Sequence, residues 1–452
     1  MTITSTLLNY LQSGLGGLAA YLAAHVLLCL LPAFFIAGAL AALLPKEAVT
    51  RFLGRNAPKW ISYPAAALSG FLLAVCSCTI MPLFAGIYKK GAGLGPAITF
   101  LFVGPAVNIL AVSFTGVQIG MDIAIARIVL SILFGILIGL LMAFFFRKDD
   151  ADHAEQTANN DLFAAQAKIP TKKIVLFLLL LGILLVGTLQ IGVLRNVFYE
   201  FSIPGTWAGE LQGWLDQLIP SDQSLGIEGV TVQGLFLIGM LLLIAISAIW
   251  GFKDLYDGLT SWTHFTLLLI SLTLILASFS VQAVNQNLMI GLSGRLVGVI
   301  ILLGALWWVG GRSINQEEQQ EWLWETWRFV KQIIPLLLVG VFLASIARAL
   351  IPSQWIKTLA GRNTILANFA GVVFGVFMYF PTLVEVPVAQ TFLALGMHRG
   401  PLLAYLLADP ELSLQSILIT NTVIGKKKTA VYVILVAIFS TLSGLIFGWF
   451  IQ

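Results

Sequence analysis

Charged residues are scarce in this sequence, and that scarcity limits the class of protein it can encode. Only 10% of the 452 residues are Asp, Glu, Lys or Arg, whereas about one quarter is usual in soluble proteins. Hydrophobic residues make up 59%, and the mean hydropathy is +0.95. Because no water-soluble fold can bury that much apolar side chain, the composition excludes a soluble protein and indicates a polytopic membrane protein.

Cysteine and histidine are also rare, with three and four residues respectively. Cys29, Cys76 and Cys78 all lie in apolar stretches, which excludes an extracellular domain built on disulfides. The sequence contains no Gly-x-x-x-x-Gly-Lys-Ser/Thr phosphate loop, and its few basic residues form no nucleic-acid patch. We therefore expect no nucleotide-driven pump, no nucleic-acid partner, no cofactor and no bound metal.

Long apolar runs dominate the rest of the chain. About 20 such residues cross the hydrocarbon as a helix, and these runs are too long and uniform for barrel strands. We predict an all-α fold with apolar segments at 18–44, 61–88, 96–115, 122–146, 174–194, 230–250, 264–284 and 289–309. The first run lacks a basic n-region and exceeds signal-peptide length, so we expect a first span and no cleaved leader.

These segments group into four parts. They are a first transmembrane repeat (18–146), a charged cytoplasmic linker expected to be solvated and mobile (147–173), a central four-helix scaffold (174–310) and a second repeat (332–452). Near 203–220, one helix face carries Trp207, Leu211, Trp214, Leu215 and Leu218. We interpret this external stretch as an amphipathic helix lying on the bilayer; the alternative is a loop anchored by its tryptophans.

A repeated pattern of glycine and proline relates the two ends of the chain. Pro82 and Pro387 are 305 residues apart, and the same separation recurs from Gly91, Pro96 and Pro105. The tripeptide Gly-Arg-Asn occurs at 54–56 and again at 361–363, a separation of 307. Since glycine and proline fix backbone shape, they predict two copies of one pattern of broken helices, as in many transporters.

Basic residues flank the broken segment 61–88 on both sides, with Lys59 before it and Lys89 and Lys90 after it. If both flanks are cytoplasmic, this segment enters the membrane and returns as a re-entrant hairpin. Each repeat then crosses the membrane three times. Three crossings and the four central spans make seven, an odd number, so the second copy is inverted relative to the first. The arrangement is opposed by four basic residues that it places outside: Arg348, Lys357, Arg362 and Arg399.

The first break reads Val-Cys-Ser-Cys-Thr-Ile-Met-Pro at 75–82. Pro82 removes a helical hydrogen bond and clashes with the carbonyl of Cys78, so we predict unwound backbone here. In extended backbone Cys76 and Cys78 point to the same side and can bind one ligand, with Ser77 and Thr79 beside them. Thiols are soft ligands, suited to a thiophilic species such as trivalent arsenic. The alternative is that these small residues allow close helix packing.

The second break reads Pro-Thr-Leu-Val-Glu-Val-Pro at 381–387. We predict that Pro381 and Thr382 line the substrate site. Glu385 is a candidate proton carrier, because an acid is costly in lipid and should face a cavity or a partner. Asp409 is a second coupling candidate, although it and Glu411 could instead cap a helix at the membrane surface.

Two more side chains of the first repeat complete the predicted site. Pro105 lies within segment 96–115, and Asn108 follows it with an amide suited to a ligand. A hydrogen bond across a helix interface is an equal alternative for Asn108. Arg127 lies early in the next span, where we expect it to snorkel outward; the alternative is an ion pair with a buried acid.

The first break and its surroundings resemble a known family. The stretches CSCTIMPLF at 76–84, GAGLGPA at 91–97 and FVGPAVN at 102–108 are similar to the signature of the ArsP-like predicted permeases. The match covers about residues 30–110, and its mirror covers 333–418. The resemblance implies an efflux permease; characterised members export trivalent organoarsenicals, with the paired cysteines as the expected contact. Thr79 stands where many relatives carry Gly, which leaves the backbone less free at the break.

We therefore predict a secondary transporter of the bacterial inner membrane, driven by protons or the membrane potential and exporting a small solute. Its expected partners are the lipid bilayer and the small-molecule substrate; a homo-oligomer is neither required nor excluded. Two other classes stay open: a membrane thiol or redox enzyme using Cys76 and Cys78, and a channel for a small neutral solute or anion. The enzyme would need a base near the thiols, and no histidine motif places one there.

Overall fold

A computed structural model describes most of the chain. It covers residues 3–24, 26–43, 52–55, 57–73, 77–107, 112, 115–116, 118–159, 171–188, 192–204, 206–219, 229–253, 258–284, 287–350, 353–377 and 385–451. Within these ranges the protein is mainly α-helical, with one small three-stranded sheet.

The first repeat is built from helices of very different lengths. They are α1 (Ile3–Ala24), a π-helical turn (Val26–Leu30), α2 (Leu31–Leu43), α3 (Lys59–Leu73), α4 (Ser77–Lys89), α5 (Leu94–Ala106) and α6 (Met121–Phe145). The next helix, α7 (Arg147–Asn159), lies in the predicted linker.

The centre and the second repeat follow. The centre comprises α8 (Thr171–Thr188), α9 (Gly192–Arg195), β1 (Val197–Pro204), α10 (Thr206–Leu218), α11 (Val232–Gly251), α12 (Ser261–Ala277), β2 (Ser280–Val284), β3 (Asn287–Ser293) and α13 (Gly294–Ser313). The second repeat comprises α14 (Gln316–Leu350), α15 (Ser353–Ala360), α16 (Ile365–Phe377), α17 (Glu385–Ala394), α18 (Arg399–Leu412), α19 (Leu414–Ile424) and α20 (Lys426–Phe450).

Six described helices are long and apolar enough to cross a bilayer: α6, α8, α11, α13, α14 and α20. Helices α18 and α19 join at a bend of 46° and together would make a seventh. Large apolar side chains stay exposed on these helices, as at Leu133 and Leu137 of α6, where they can contact lipid. The predicted helical, polytopic membrane fold is therefore confirmed.

The sheet was not predicted, and it corrects two of the expected spans. Segments 264–284 and 289–309 were expected to be helical throughout, but α12 ends at Ala277 and α13 begins only at Gly294. Between them β2 and β3 form an antiparallel pair, and β3 also pairs with β1 from far earlier in the chain. Local hydropathy cannot reveal that pairing, although Gln282 and Asn287 weaken the apolar pattern there.

The linker also differs from expectation, because its first half is an ordered helix. In α7, Asp150 is only 5% exposed and accepts a hydrogen bond of 2.7 Å from the backbone N–H of Leu94, at the start of α5. The imidazole of His153 stacks on the ring of Tyr88 at 4.2 Å. The prediction of a mobile linker is therefore wrong for α7, while 160–170 lie outside the described residues.

The amphipathic segment near 203–220 does form a helix, α10. Leu215 is buried beside Ala20 and Val230, while Trp207 and Trp214 are 53% and 54% exposed. The loop alternative is thus wrong, and the location of α10 on the bilayer surface stays a prediction.

The two repeats have the same local structure. Helices α6 and α20 each contain 25 residues, and they begin 305 residues apart, the separation of the glycine and proline pattern. Gly91 and Gly396 both adopt positive φ, at 92° and 94°. The N–H of Gly93 donates to the carbonyl of Leu53, and the N–H of His398 donates to that of Ala360. Those two acceptors are 307 residues apart, like the Gly-Arg-Asn tripeptides.

The equivalent helices α6 and α20 run antiparallel. Lys428, near the start of α20, pairs at 3.5 Å with Asp149, just beyond the end of α6. At the other end, Asp122 near the start of α6 pairs at 2.7 Å with Arg399, the first residue of α18. The start of α18 lies beside the second half of α20, because Gly400 contacts Gly444. An inverted repeat requires this arrangement; the sidedness of the two copies in the bilayer stays a prediction.

The broken segment 61–88 enters the protein and returns. Helix α3 runs parallel to α5, since Tyr63 packs on Gly95 and Gly70 packs on Gly104. Helix α4 runs back along α5, because the Ile80 side chain also lies against Gly104 while α4 ends next to the start of α5. With 15 and 13 residues, α3 and α4 are each shorter than the roughly 20 needed to span. This geometry is the one that the re-entry prediction requires.

Candidate functional site

The two repeats are joined inside the protein by a buried ion pair. Arg127 of α6 is completely buried and Glu385 of α17 is 1% exposed. The Nη2 of Arg127 lies 3.0 Å from the Oε2 of Glu385, and its Nε donates to the carbonyl of Ala106 at 3.0 Å. The expectation that Arg127 snorkels outward is therefore wrong, and the alternative of pairing with a buried acid is correct. Both partners lie in the interior, where the guanidinium could not otherwise be accommodated.

Helix ends supply the partners of Arg127. Helix α5 ends at Ala106, so the last carbonyls of this helix have no intrahelical partner and are free to accept from a side chain. Glu385 is the first residue of α17, a position where the positive end of the helix dipole favours an acid. The ion pair thus joins the end of one short helix to the start of another.

A second buried polar pair lies within the second repeat. The hydroxyl of Tyr432, in α20, donates to the Oε2 of Glu411 at 2.9 Å. Glu411 and Asp409 are each 1% exposed in the last turn of α18, close enough for Glu411 to interact with the charges of Arg127 and Glu385. The alternative that Asp409 and Glu411 cap a helix at the surface is therefore wrong, because α18 is enclosed along its length.

The two polar pairs occupy equivalent positions of the repeats. Tyr432 stands 305 residues after Arg127, and Glu411 stands 305 residues after Ala106. In each repeat, a donor on the long helix contacts an oxygen at the end of the short central helix. Sequence reasoning missed Tyr432, although the separation of 305 pointed to it from Arg127.

The predicted substrate residues are only partly described. Thr79 and Pro105 are fully enclosed within α4 and α5. Ser77 and Cys78 form the first turn of α4, but their side chains, together with Cys76, Asn108, Pro381 and Thr382, lie outside the described residues.

The position of the first break corrects one detail of the prediction. Pro82 is the sixth residue of α4 and does not end that helix, so Cys78 has helical backbone. Pro82 has no N–H, so the carbonyl of Cys78 in the first turn of α4 loses its helical donor. The prediction of unwound backbone is therefore wrong for Cys78, while 74–76 lie outside the described residues.

The helices that follow the two breaks converge on the end of α5. Ile80 of α4 lies against Gly104 of α5, and two residues later the carbonyl of Ala106 binds Arg127, which holds Glu385 at the start of α17. The predicted meeting of Ser77 and Thr382 near the bilayer midplane stays a prediction, since Thr382 is not among the described residues.

A polar cavity lies at the far end of α4. It has a volume of about 490 Å³ between α4, α7, α14, α19 and α20. Its walls carry charges of both signs, from Lys89, Arg328, Lys428, Asp149, Asp152 and Glu325, together with His153. Helix α4 thus has the cysteine motif at its start and this cavity at its end.

A family model described as a predicted permease, ArsP_1, matches residues 14–449. The UPF0718 protein MJ0584 of Methanocaldococcus jannaschii is 34% identical over 448 residues, covering 99% of this chain and 98% of the relative. No solved structure matches. A permease family indicates a transporter in preference to an enzyme, in agreement with the buried ionisable groups and interrupted helices, and the chain belongs to the ArsP_1 family of predicted permeases.

Proposed function

We propose that this permease exports a small thiophilic solute, of the class of trivalent organoarsenicals, from the cytoplasm across the bacterial inner membrane. The observation that carries the proposal is the fully buried pair Arg127–Glu385, which joins the two repeats where interrupted helices meet. Ionisable groups are costly at such a depth and are kept in membrane proteins mainly for ligand, ion or proton pathways.

The sulfur chemistry comes from the sequence motif. Cys76 and Cys78 are the proposed ligands of the arsenic atom, since thiolates prefer soft metalloids. Ser77, Thr79 and Pro105 line the same site from α4 and α5, with Asn108, Pro381 and Thr382 contributed by the segments next to the breaks. Glu385 and Asp409 are the proposed coupling residues, because a carboxyl group can exchange a proton as the transporter changes conformation.

Transport in proteoliposomes tests this function. Phenylarsine oxide serves as the probe, and saturation with counterflow identifies a carrier, whereas a channel shows neither. Cys76→Ser and Cys78→Ser should abolish transport, because a hydroxyl keeps the size of the thiol but not its affinity for arsenic. Cys29→Ser is the matched control and should transport normally. Equal activity of all three variants would contradict a thiophilic substrate while leaving the permease assignment intact.

A further inference from the structure

The buried cluster at the junction of the repeats has more acids than bases. Its members are Arg127 of α6, Glu385 of α17, Tyr432 of α20, and Asp409 and Glu411 of α18, and each is at most 2% exposed. The other helices packed against α18, namely α5, α16 and α19, carry no Asp, Glu, Lys, Arg, His or Tyr. Among the described residues, the charge balance of this site is therefore set by one guanidinium and three carboxyl groups, with the hydroxyl of Tyr432 beside them.

Three polar atoms of the cluster have no hydrogen-bond partner among the described residues. They are the Nη1 of Arg127, the Oε1 of Glu385 and the Oε1 of Glu411. Arg127 thus has one unused donor group, and Glu411 has one unused acceptor. Asp409, in contrast, has an interaction of its own.

One guanidinium can neutralise one carboxylate. An additional unpaired carboxylate in this buried interior would carry a large desolvation penalty. The cluster has three acids and one guanidinium, so electrical neutrality requires two protonated acids. With Arg127 bound to Glu385, these are Asp409 and Glu411, and the Oε2 of Glu411 still accepts from Tyr432.

We propose that Glu411 and Glu385 share one transported proton, and that Arg127 moves between them. The proposal deepens the proposed function, on which it rests, by adding Glu411, Arg127 and Tyr432 to the coupling site. In the observed arrangement Arg127 binds the Glu385 carboxylate and Glu411 carries the proton. When Glu411 releases its proton to one side of the membrane, Arg127 transfers to the new carboxylate. Glu385 then takes a proton from the other side while Asp409 keeps its own, so the cluster holds two protons and zero net charge in both states.

Infrared spectroscopy of the purified protein tests the shared proton without requiring transport. A carboxylic acid absorbs at a C=O frequency distinct from that of a carboxylate, and at neutral pH the exposed acids are ionised. We expect a carboxylic-acid band in the wild type that loses the contribution of one acid in Glu411→Gln and also in Glu385→Gln, because Arg127 pairs with whichever of the two glutamates remains; the contribution of Asp409 persists in both. Arg127→Met should strengthen the band, since both glutamates then stay neutral. The exposed variant Asp122→Asn is the control and should leave the band unchanged.

Two results would overturn the proposal. If the band decreases in Glu411→Gln but not in Glu385→Gln, Glu411 is permanently neutral and Arg127 does not exchange. If neither Gln variant affects the band, the cluster holds no such proton. Tyr432→Phe provides a second variant should Glu411→Gln fail to fold: the band should remain but shift, because the hydrogen bond to Oε2 is lost.

Proteoliposomes then connect the proton to transport. With phenylarsine oxide as probe, both Gln variants should lose accumulation driven by a pH gradient by at least about tenfold, within the usual range of coupling energies. Counterflow without a gradient, and protection of Cys76 and Cys78 from alkylation by the probe, should persist. Loss of counterflow and protection together would assign the cluster a structural role. If the wild type does not transport this probe, the substrate proposal fails, and the infrared result still decides whether the proton is shared.

Discussion

Phe134 and Phe439 stack on each other with ring centroids 5.1 Å apart, and each is the fourteenth residue of its 25-residue helix. A residue that contacts its own counterpart lies on the axis of an inverted repeat. The predicted inversion would therefore place its axis between the midpoints of α6 and α20. Arg127 and Tyr432 lie two turns before these phenylalanines, one on each helix.

The sidedness of the repeats can be tested at two matched arginines. Arg55 and Arg362 hold the same place in the two Gly-Arg-Asn tripeptides, and both are exposed. After substitution by cysteine in a cysteine-free background, an impermeant maleimide should label them from opposite sides of the membrane. A cysteine at Lys89 should label from the same side as one at Arg55, because the segment between them returns. Labelling of the 55 and 362 positions from one side would contradict the inverted arrangement.

The buried ion pair should be strongly coupled in stability. Arg127→Met should cost about 3–5 kcal/mol, because it removes the partner of the buried Glu385 carboxylate, which must then take up a proton. Glu385→Met should cost less, because Arg127 can pair with Glu411. The double variant should recover most of that loss, since no charge then remains unpaired. Thermal unfolding in detergent gives the comparison. The control variant Asp122→Asn breaks the exposed pair with Arg399 and should cost less than about 1 kcal/mol. If the losses of stability at Arg127 and Glu385 are additive in the double variant, the two residues act independently.

Docking of α7 should depend on Asp150. Asp150→Asn weakens a charge-assisted hydrogen bond to the first N–H of α5 and removes an ion pair with Arg55, at a cost of about 1 kcal/mol. Trypsin should therefore cleave after Arg147 or Lys148 faster in this variant than in the wild type, as followed by mass spectrometry. The exposed neighbour Asp152 is the matched control, and equal cleavage of Asp150→Asn and Asp152→Asn would show that the cap does not hold α7.

Close packing of α3 on α5 requires glycine at position 70. A Cβ there would lie 3.0 Å from the backbone nitrogen of Gly104, which cannot move aside as a side chain can. Gly70→Ala should cost about 1–3 kcal/mol through overpacking. Gly239→Ala in α11 meets nothing within 4 Å and should be neutral or slightly stabilising. Melting temperatures measured in the same detergent would show the difference, and similar values for both variants would contradict this account of the hairpin.

The sequence predicted those features that depend on local composition or on recurring spacing. Apolar runs indicated the membrane helices, and the separation of 305 located the matching breaks, because both signals can be read along the chain. The partner of Arg127 could not be located in this way, since Glu385 lies 258 residues later and only the fold brings them together. Hydropathy likewise favoured outward snorkelling, because it carries no information about an acid on a distant helix.

The order of α7 and the pairing of β1 with β3 depend on contacts of the same long-range kind. The sequence alone does not distinguish Asp150 from a solvated acid, because its partner, the N–H at the start of α5, is brought to it only by the fold. The residues of β2 and β3 have the hydropathy of membrane segments, and their pairing as strands involves β1, which lies far earlier in the chain.

The capping of α5 by Asp150 makes the two repeats differ in one attachment. Helix α5 is about 20 Å long, with the linker carboxylate at one end and the carbonyl that holds Arg127 at the other. Its counterpart α18 is capped by its own His398 and is not attached to any linker helix among the described residues. The two equivalent helices are thus attached differently, α5 to a second helix and α18 to its own cap. A rearrangement that exchanged the conformations of the two repeats would therefore not be energetically neutral.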